Sequence, residues 1–136
     1  MPITEKIETK TSTIWIDEEG ILHLKIKEGS VVDLDEAKVF FDSYRKLGCH
    51  ENKVLELMTG GTFFTFNKSA MQYSAKQGKH YFIATALINN SLAIRLLFNF
   101  FNNFFKQPVP FKIFNTKSQA LDWLRTFKVS KASIKS

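Results

Sequence analysis

The chain has 136 residues, 44% of them hydrophobic and 24% charged, which suits one domain around one core and excludes an intrinsically disordered chain. A chain of this length buries about two-thirds of its unfolded surface, so it needs no disulfide or metal staple. With one cysteine and no run of about 18 uncharged apolar residues, a disulfide framework and a membrane-spanning helix are excluded as well.

The opening Met1-Pro2-Ile3-Thr4-Glu5-Lys6 lacks the apolar run of a secretory signal, and with the single Cys49 this points to a reducing cytoplasm. The net charge of +6 is uneven. Residues 1–50 hold 7 Lys/Arg and 10 Asp/Glu, a net −3, whereas residues 51–136 hold 12 and 3, a net +9. Any basic face therefore belongs to the second half. No Arg-rich run and no aromatic-basic interleaving accompanies it, so nucleic acid is not the expected partner and the excess reads as a solubility device.

In chain order, residues 1–12 show no periodicity and read as a flexible arm or a frayed leading strand. Strict alternation predicts strands over Ser12 to Asp17 and Ile21 to Lys27, a hairpin around Glu18-Glu19-Gly20 with one wet face. Asp33 as N-cap and Glu36 three residues on form a capping box. Leu34, Ala37, Phe40, Phe41, Tyr44 and Leu47 then follow at helical spacing to Gly48. Val54, Leu55 and Leu57 predict a short strand over Lys53 to Met58, ended by Thr59-Gly60-Gly61-Thr62. Asn67 or Ser69 caps a modest helix through Ala75, with Gly78 as its terminator.

The apolar run from His80 to Ile88 predicts a strand covered on both faces, at the sheet centre. Asn89-Asn90-Ser91 opens a helix to about Phe105, Gln107-Pro108 stops it, and Pro110 to Phe114 forms the last strand. Asn115 to Ser118 caps a final helix carrying Ala120, Leu121, Trp123, Leu124 and Phe127, and residues 128–136 read as a basic disordered tail. The expected fold is a single α/β domain over residues 13–127 in the order β-β-α-β-α-β-α-β-α. Its mixed five-stranded sheet begins with an antiparallel hairpin and continues through parallel crossovers.

Ligands of α/β sheets gather at the C-terminal edges of the strands. Here those edges offer Thr59, Thr62, Thr65, Asn89, Asn90, Ser91, Asn115 and Thr116 but one carboxylate, Glu28, and neither His nor Cys. Acid-base and nucleophilic catalysis are therefore not expected. Cys49-His50-Glu51 reads as a solvated loop past a helix end, and with no second Cys or His at ligand spacing neither metal nor cofactor is expected. Gly60-Gly61 reads as a tight turn, because Lys68-Ser69 lacks the preceding glycine of a P-loop and lies too far from the pair.

A wheel at about 100° per residue places Ser91, Arg95, Asn99, Asn102 and Asn103 on one stripe of the helix from Ser91 to Phe105. Ala93, Ile94, Leu96, Leu97, Phe98, Phe100, Phe101, Phe104 and Phe105 cover the rest, an arc of roughly 200° against the ~100° that one-sided packing needs. Three readings of that surplus stay open: packing against neighbouring helices, self-association, or a groove for an apolar ligand whose anionic headgroup Arg95, Lys106 and Lys112 would hold.

Ile83-Ala84-Thr85-Ala86-Leu87-Ile88 with Ser91 and Arg95, the Phe-rich helix, Pro108 to Pro110, and Phe114-Asn115-Thr116-Lys117-Ser118-Gln119-Ala120-Leu121-Asp122-Trp123-Leu124 together resemble the second half of small bacterial STAS/SpoIIAA-like proteins, the anti-sigma-factor antagonists and their kin. With Asp33 to Gly48 and the strand at Val54, the resemblance spans about residues 13–127. It implies a β-α superhelical sheet, no catalysis, no cofactor, and function by binding, either of a protein partner or, in some branches, of an apolar or lipid-like ligand. Antagonists of that family carry an Asp-Ser-Ser-Gly-like element after the third strand whose serine is phosphorylated. The matching stretch here is Thr59-Gly60-Gly61-Thr62 and then Asn67-Lys68-Ser69, which makes Ser69, at a helix start, the candidate phosphosite. The candidate binding residues are Thr59, Gly60, Gly61, Asn89, Asn90, Ser91, Arg95, Phe98, Phe101, Phe104 and Phe105. The expected partner is another protein or a second copy in a homodimer, with an apolar small molecule or a membrane-surface lipid as the alternative.

Overall fold

Alternating apolar positions build the sheet and helical spacing builds its covers. The computed structural model describes residues 3–104 and 108–135, without the side chains of Phe101, Asn103, Phe104 and residues 129–135. In chain order the elements are β1 (Ile7–Glu8), β2 (Ser12–Ile16), β3 (Leu22–Ile26), β4 (Val31–Val32), α1 (Leu34–Lys46), β5 (Val54–Gly60), β6 (Thr65–Phe66), α2 (Lys68–Gly78), β7 (Phe82–Ile88), α3 (Leu92–Phe104), β8 (Phe111–Phe114) and α4 (Lys117–Lys135). The main sheet runs β1-β2-β3-β5-β7-β8, with β4 and β6 paired apart from it. β1, β2 and β3 are antiparallel neighbours, whereas β3-β5, β5-β7 and β7-β8 are parallel, as crossovers through helices require.

The sheet has six strands where five were expected, because the leading segment is a short strand and not a loose arm. Ile7 pairs with Ile14, the Thr4 amide donates to the Ile16 carbonyl, and the turn between β1 and β2 is anchored from outside. That anchor is Glu36. Asp33 caps α1 as expected, accepting from the Glu36 amide at 2.8 Å, but the Glu36 carboxylate does not return to the cap. It is buried and accepts from the Thr9 hydroxyl, the Thr11 amide and the Thr11 hydroxyl. One acid therefore fastens β1 to the body of the domain instead of closing a capping box.

The two faces have separate cores. Leu22, Leu24, Ile26, Met58 and Leu87 pack under α1, α2 and α3 with Phe40, Phe41, Tyr44, Met71, Ile94 and Phe98. On the opposite face Ile21, Leu55, Leu57, Ala84 and Ala86 meet Ala120 and Leu124 of α4. The hairpin face expected to be wet is thus partly covered: Ile21 is buried, and His23 is buried against Trp15, with ring centroids 4.7 Å apart and planes at 7°. β7 is covered on both faces as expected but is not central; β3 and β5 hold the middle and the short β8 forms the edge. α4 extends through Lys135, beyond the point at which a disordered tail was expected.

Cys49 also departs from expectation. Gly48, at φ 83°, turns the chain after α1 so that the Cys49 amide reaches the Tyr44 carbonyl and the thiol enters the core, leaving His50 outside beside Glu51.

Candidate functional site

The C-terminal edge of the sheet is held together from within. Glu28, the one carboxylate there, accepts from the Thr62 amide and from the Phe63 amide at 3.0 Å, so it closes the loop after β5. Thr59 and Gly60 are the last residues of β5, with Gly61 following. Their glycines serve close approach. A Cβ on Gly60 would lie 2.6 Å from Cδ1 of the buried Phe64 ring, and one on Gly61 would lie 2.7 Å from Glu28 Cα. This is a packing requirement, in place of the simple tight turn read from the sequence.

Asn89 and Arg95 join the neighbouring strand ends. Buried Asn89 receives the Ser91 amide on Oδ1 at 2.6 Å, donates from Nδ2 toward the Gly61 carbonyl, and pairs its own amide with the Phe114 carbonyl. Arg95 donates from Nε to the Asn89 carbonyl at 3.2 Å and from Nη2 to Asn115 Oδ1. The structure therefore gathers Gly61, Asn89, Ser91 and Arg95 at one edge, with Asn90 exposed beside them, and most of their polar atoms are already engaged in joining β5, β7, β8 and α3.

Along α3, Phe98 is core. Its ring stacks on Phe111 with centroids 5.5 Å apart and meets Phe66 at 5.9 Å, so it faces the interior and not an exposed docking surface. Asn102, expected on the wet stripe, is half-buried. The exposed apolar positions are Leu92, Leu96 and Phe100, at 70%, 59% and 58%, none of which the sequence singled out as a site residue. Phe105 and Lys106, and the side chains of Phe101 and Phe104, lie outside the described residues. Ser69 is exposed in the first turn of α2, whose N-cap is Asn67.

A feature that sequence reasoning missed lies beneath these helices. Glu56 occupies an inward position of β5, opposite Leu22 of β3 and Thr85 of β7. It is buried, accepting from Thr85 Oγ1 at 2.9 Å and from Tyr44 Oη at 3.4 Å, and burial pushes its carboxyl up to about 7. Burial and the neighbouring carboxylate hold Tyr44 well above the ordinary phenol range and push the Cys49 thiol up to about 12, which removes the thiolate a nucleophile needs. Glu56 lines a cavity of about 60 Å³ whose other walls include Phe40, Phe41, Phe66, Phe82, Phe98 and Phe111. Ser74, Ala75 and Phe111 are its half-exposed wall residues, so its mouth lies beside α2 and β8. Among the described residues no group of three or more His, Cys, Asp or Glu is placed to hold a metal ion, and no helix is long and apolar enough to cross a membrane.

A family model for a domain of unknown function, DUF7793, matches residues 14–128. The chain belongs to the DUF7793 family. No curated protein matches it. Among solved structures, this DUF7793 domain is similar to the crystal structure of an uncharacterized protein of the DUF3478 family from Shewanella loihica PV-4, which has a SpoIIAA-like fold. The TM-score is 0.56 at 18% identity, over 90% of this chain and 93% of that one. The DUF7793 domain is thus a single α/β unit with a SpoIIAA-like fold, and at this identity the likeness concerns the fold alone.

Proposed function

We propose that this DUF7793 domain is a non-catalytic, cytoplasmic binding module that docks a protein partner, in the first instance a second copy of itself, through the outer face of α3 beside the C-terminal sheet edge. The observation that carries this reading is the row Leu92 and Leu96, continued by Phe100, which presents apolar surface to solvent one helical turn apart. Polar groups at the adjoining edge are engaged in structural bonds, which suits a docking surface better than a reaction centre.

Replacing Leu92 and Leu96 together with Glu is expected to convert a dimer into a monomer in sedimentation velocity while leaving the far-UV circular dichroism spectrum unchanged, because within one chain both side chains face outward. An unchanged sedimentation coefficient would remove this face from the reading. Ser69 belongs to the same proposal as the position at which a kinase would switch docking. Its place in the first turn of α2 favours negative charge, so Ser69→Asp is expected to raise stability by about 0.3–1 kcal/mol in urea unfolding. A loss of stability instead would argue against phosphate at that position.

A second reading, a carrier or sensor of a small apolar molecule, is favoured by the cavity at Glu56. Arg95, engaged with Asn89 and Asn115, is not placed as a headgroup clamp for a lipid.

A further inference from the structure

A carboxyl group in an apolar cavity is expensive to ionise unless a cation joins it, and among the described residues no Lys, Arg or His lines this cavity. The groups that face Glu56 are hydroxyls and hydrocarbons. α1 brings Tyr44, Phe40 and Phe41, and the turn after α1 brings Cys49. β3 contributes Leu24 and β7 contributes Thr85 and Phe82. α2 contributes Met71, Ser74, Ala75 and Gly78, α3 contributes Phe98, and the segment entering β8 contributes Val109 and Phe111. Tyr44 and Cys49 are the titratable neighbours, and both are neutral at physiological pH.

Two carboxylate oxygens offer about four acceptor positions, and the protein supplies two donors, Thr85 at 2.9 Å and Tyr44 at a long 3.4 Å. Acceptor capacity is therefore left over, in a chamber to whose walls seven Phe and Tyr side chains contribute. Aromatic faces attract cations through their quadrupole, and a carboxylate among them adds a full opposite charge. A neutral alcohol would gain one hydrogen bond there, whereas an ammonium gains the ion pair and the ring faces together.

From this geometry we propose that the cavity is a binding site for a small organic ammonium ion, with Glu56 as its counter-ion and the surrounding Phe and Tyr rings as its cage. The proposal rests on the second reading above and gives it a ligand class. The volume of about 60 Å³ is several times the ~10–15 Å³ that a single water needs, so methyl- or ethylammonium has room, and a longer chain would project through the mouth beside Ser74, Ala75 and Phe111. Binding a cation stabilises the ionised carboxylate, so Glu56 releases its proton as the ammonium enters, and affinity rises with pH through the range in which that proton is otherwise held.

The test is titration of the full ¹⁵N-labelled chain at pH 8 with methylammonium and ethylammonium chloride, with methanol and ethanol as neutral matches, read as amide shifts of Ser74, Gly78 and Thr85. The expected result is a saturable response to both ammonium ions, none to the alcohols, and affinity at least about tenfold weaker in Glu56→Gln, which keeps the side-chain shape and removes the charge. Ala75→Leu narrows the mouth at a half-exposed helical position and should abolish binding with the carboxyl intact; if Glu56→Gln fails to give a dispersed spectrum, this variant decides. Equal responses to alcohols and ammonium ions would overturn the counter-ion role and leave the small-molecule reading standing. No saturable response to any of the four probes would overturn the ammonium site, and undiminished binding in Ala75→Leu would place the ligand outside this cavity.

Discussion

Glu56→Gln is expected to stabilise the domain by about 3 kcal/mol at pH 8 and to leave stability nearly unchanged at pH 4. In the folded protein the carboxyl is pushed up to about 7 from its ordinary 4.5, by burial above all, with the Thr85 and Tyr44 hydroxyls pulling weakly the other way. A group whose folded value is raised contributes stability that is fully present below its unfolded value and is lost as pH rises through the folded one. Between about 4.5 and 7 the folded state holds a proton that the unfolded chain has released, so stability falls by about 1.4 kcal/mol per pH unit from this group. Glutamine has nothing to ionise, and because the Thr85 and Tyr44 hydroxyls can rotate, its amide still finds acceptors. Urea unfolding of both proteins from pH 4 to pH 8 checks this. Parallel curves would show that Glu56 ionises without penalty and therefore is not buried as described.

Phe98→Ala is expected to cost about 3–5 kcal/mol, while Leu96→Ala, two residues earlier on the same helix, stays within about 0.5 kcal/mol. Phe98 is enclosed by Phe111, Phe66 and Phe64, and truncating it would enlarge the cavity already present over β5 and β7. Leu96 is exposed and its loss opens no void. Comparable losses from both substitutions, measured by thermal unfolding, would mean that α3 lies differently on the sheet.

These two residues also show where the sequence was readable. The hairpin, the Asp33 cap and the four helices follow from local periodicity and cap chemistry, and the structure has them. The rotational setting of α3 was not legible. A wheel with apolar residues over some 200° does not say which third of the arc meets the sheet, so Phe98 was assigned to a binding face and Leu92 was passed over.

For β1 the sequence does not decide between an arm and a leading strand, because two-residue strands carry no period and its pairing depends on Glu36, 25 or more positions away in the chain. Glu56 was missed for a different reason. In Val54-Leu55-Glu56-Leu57-Met58 it passes for the polar step of an alternating strand, and it lies away from the strand ends where ligands of α/β sheets gather. The available signal was that a strand flanked by helical crossovers is covered on both faces, so its alternate position has no water to turn to.

The central claim, that this domain acts by binding, is tested most directly by native mass spectrometry of the gently purified 136-residue chain. The account predicts a dimer, whose contact the Leu92/Leu96 double substitution would remove. A monomer carrying no small-molecule adduct, at concentrations where other dimeric domains of this size stay paired, would contradict it.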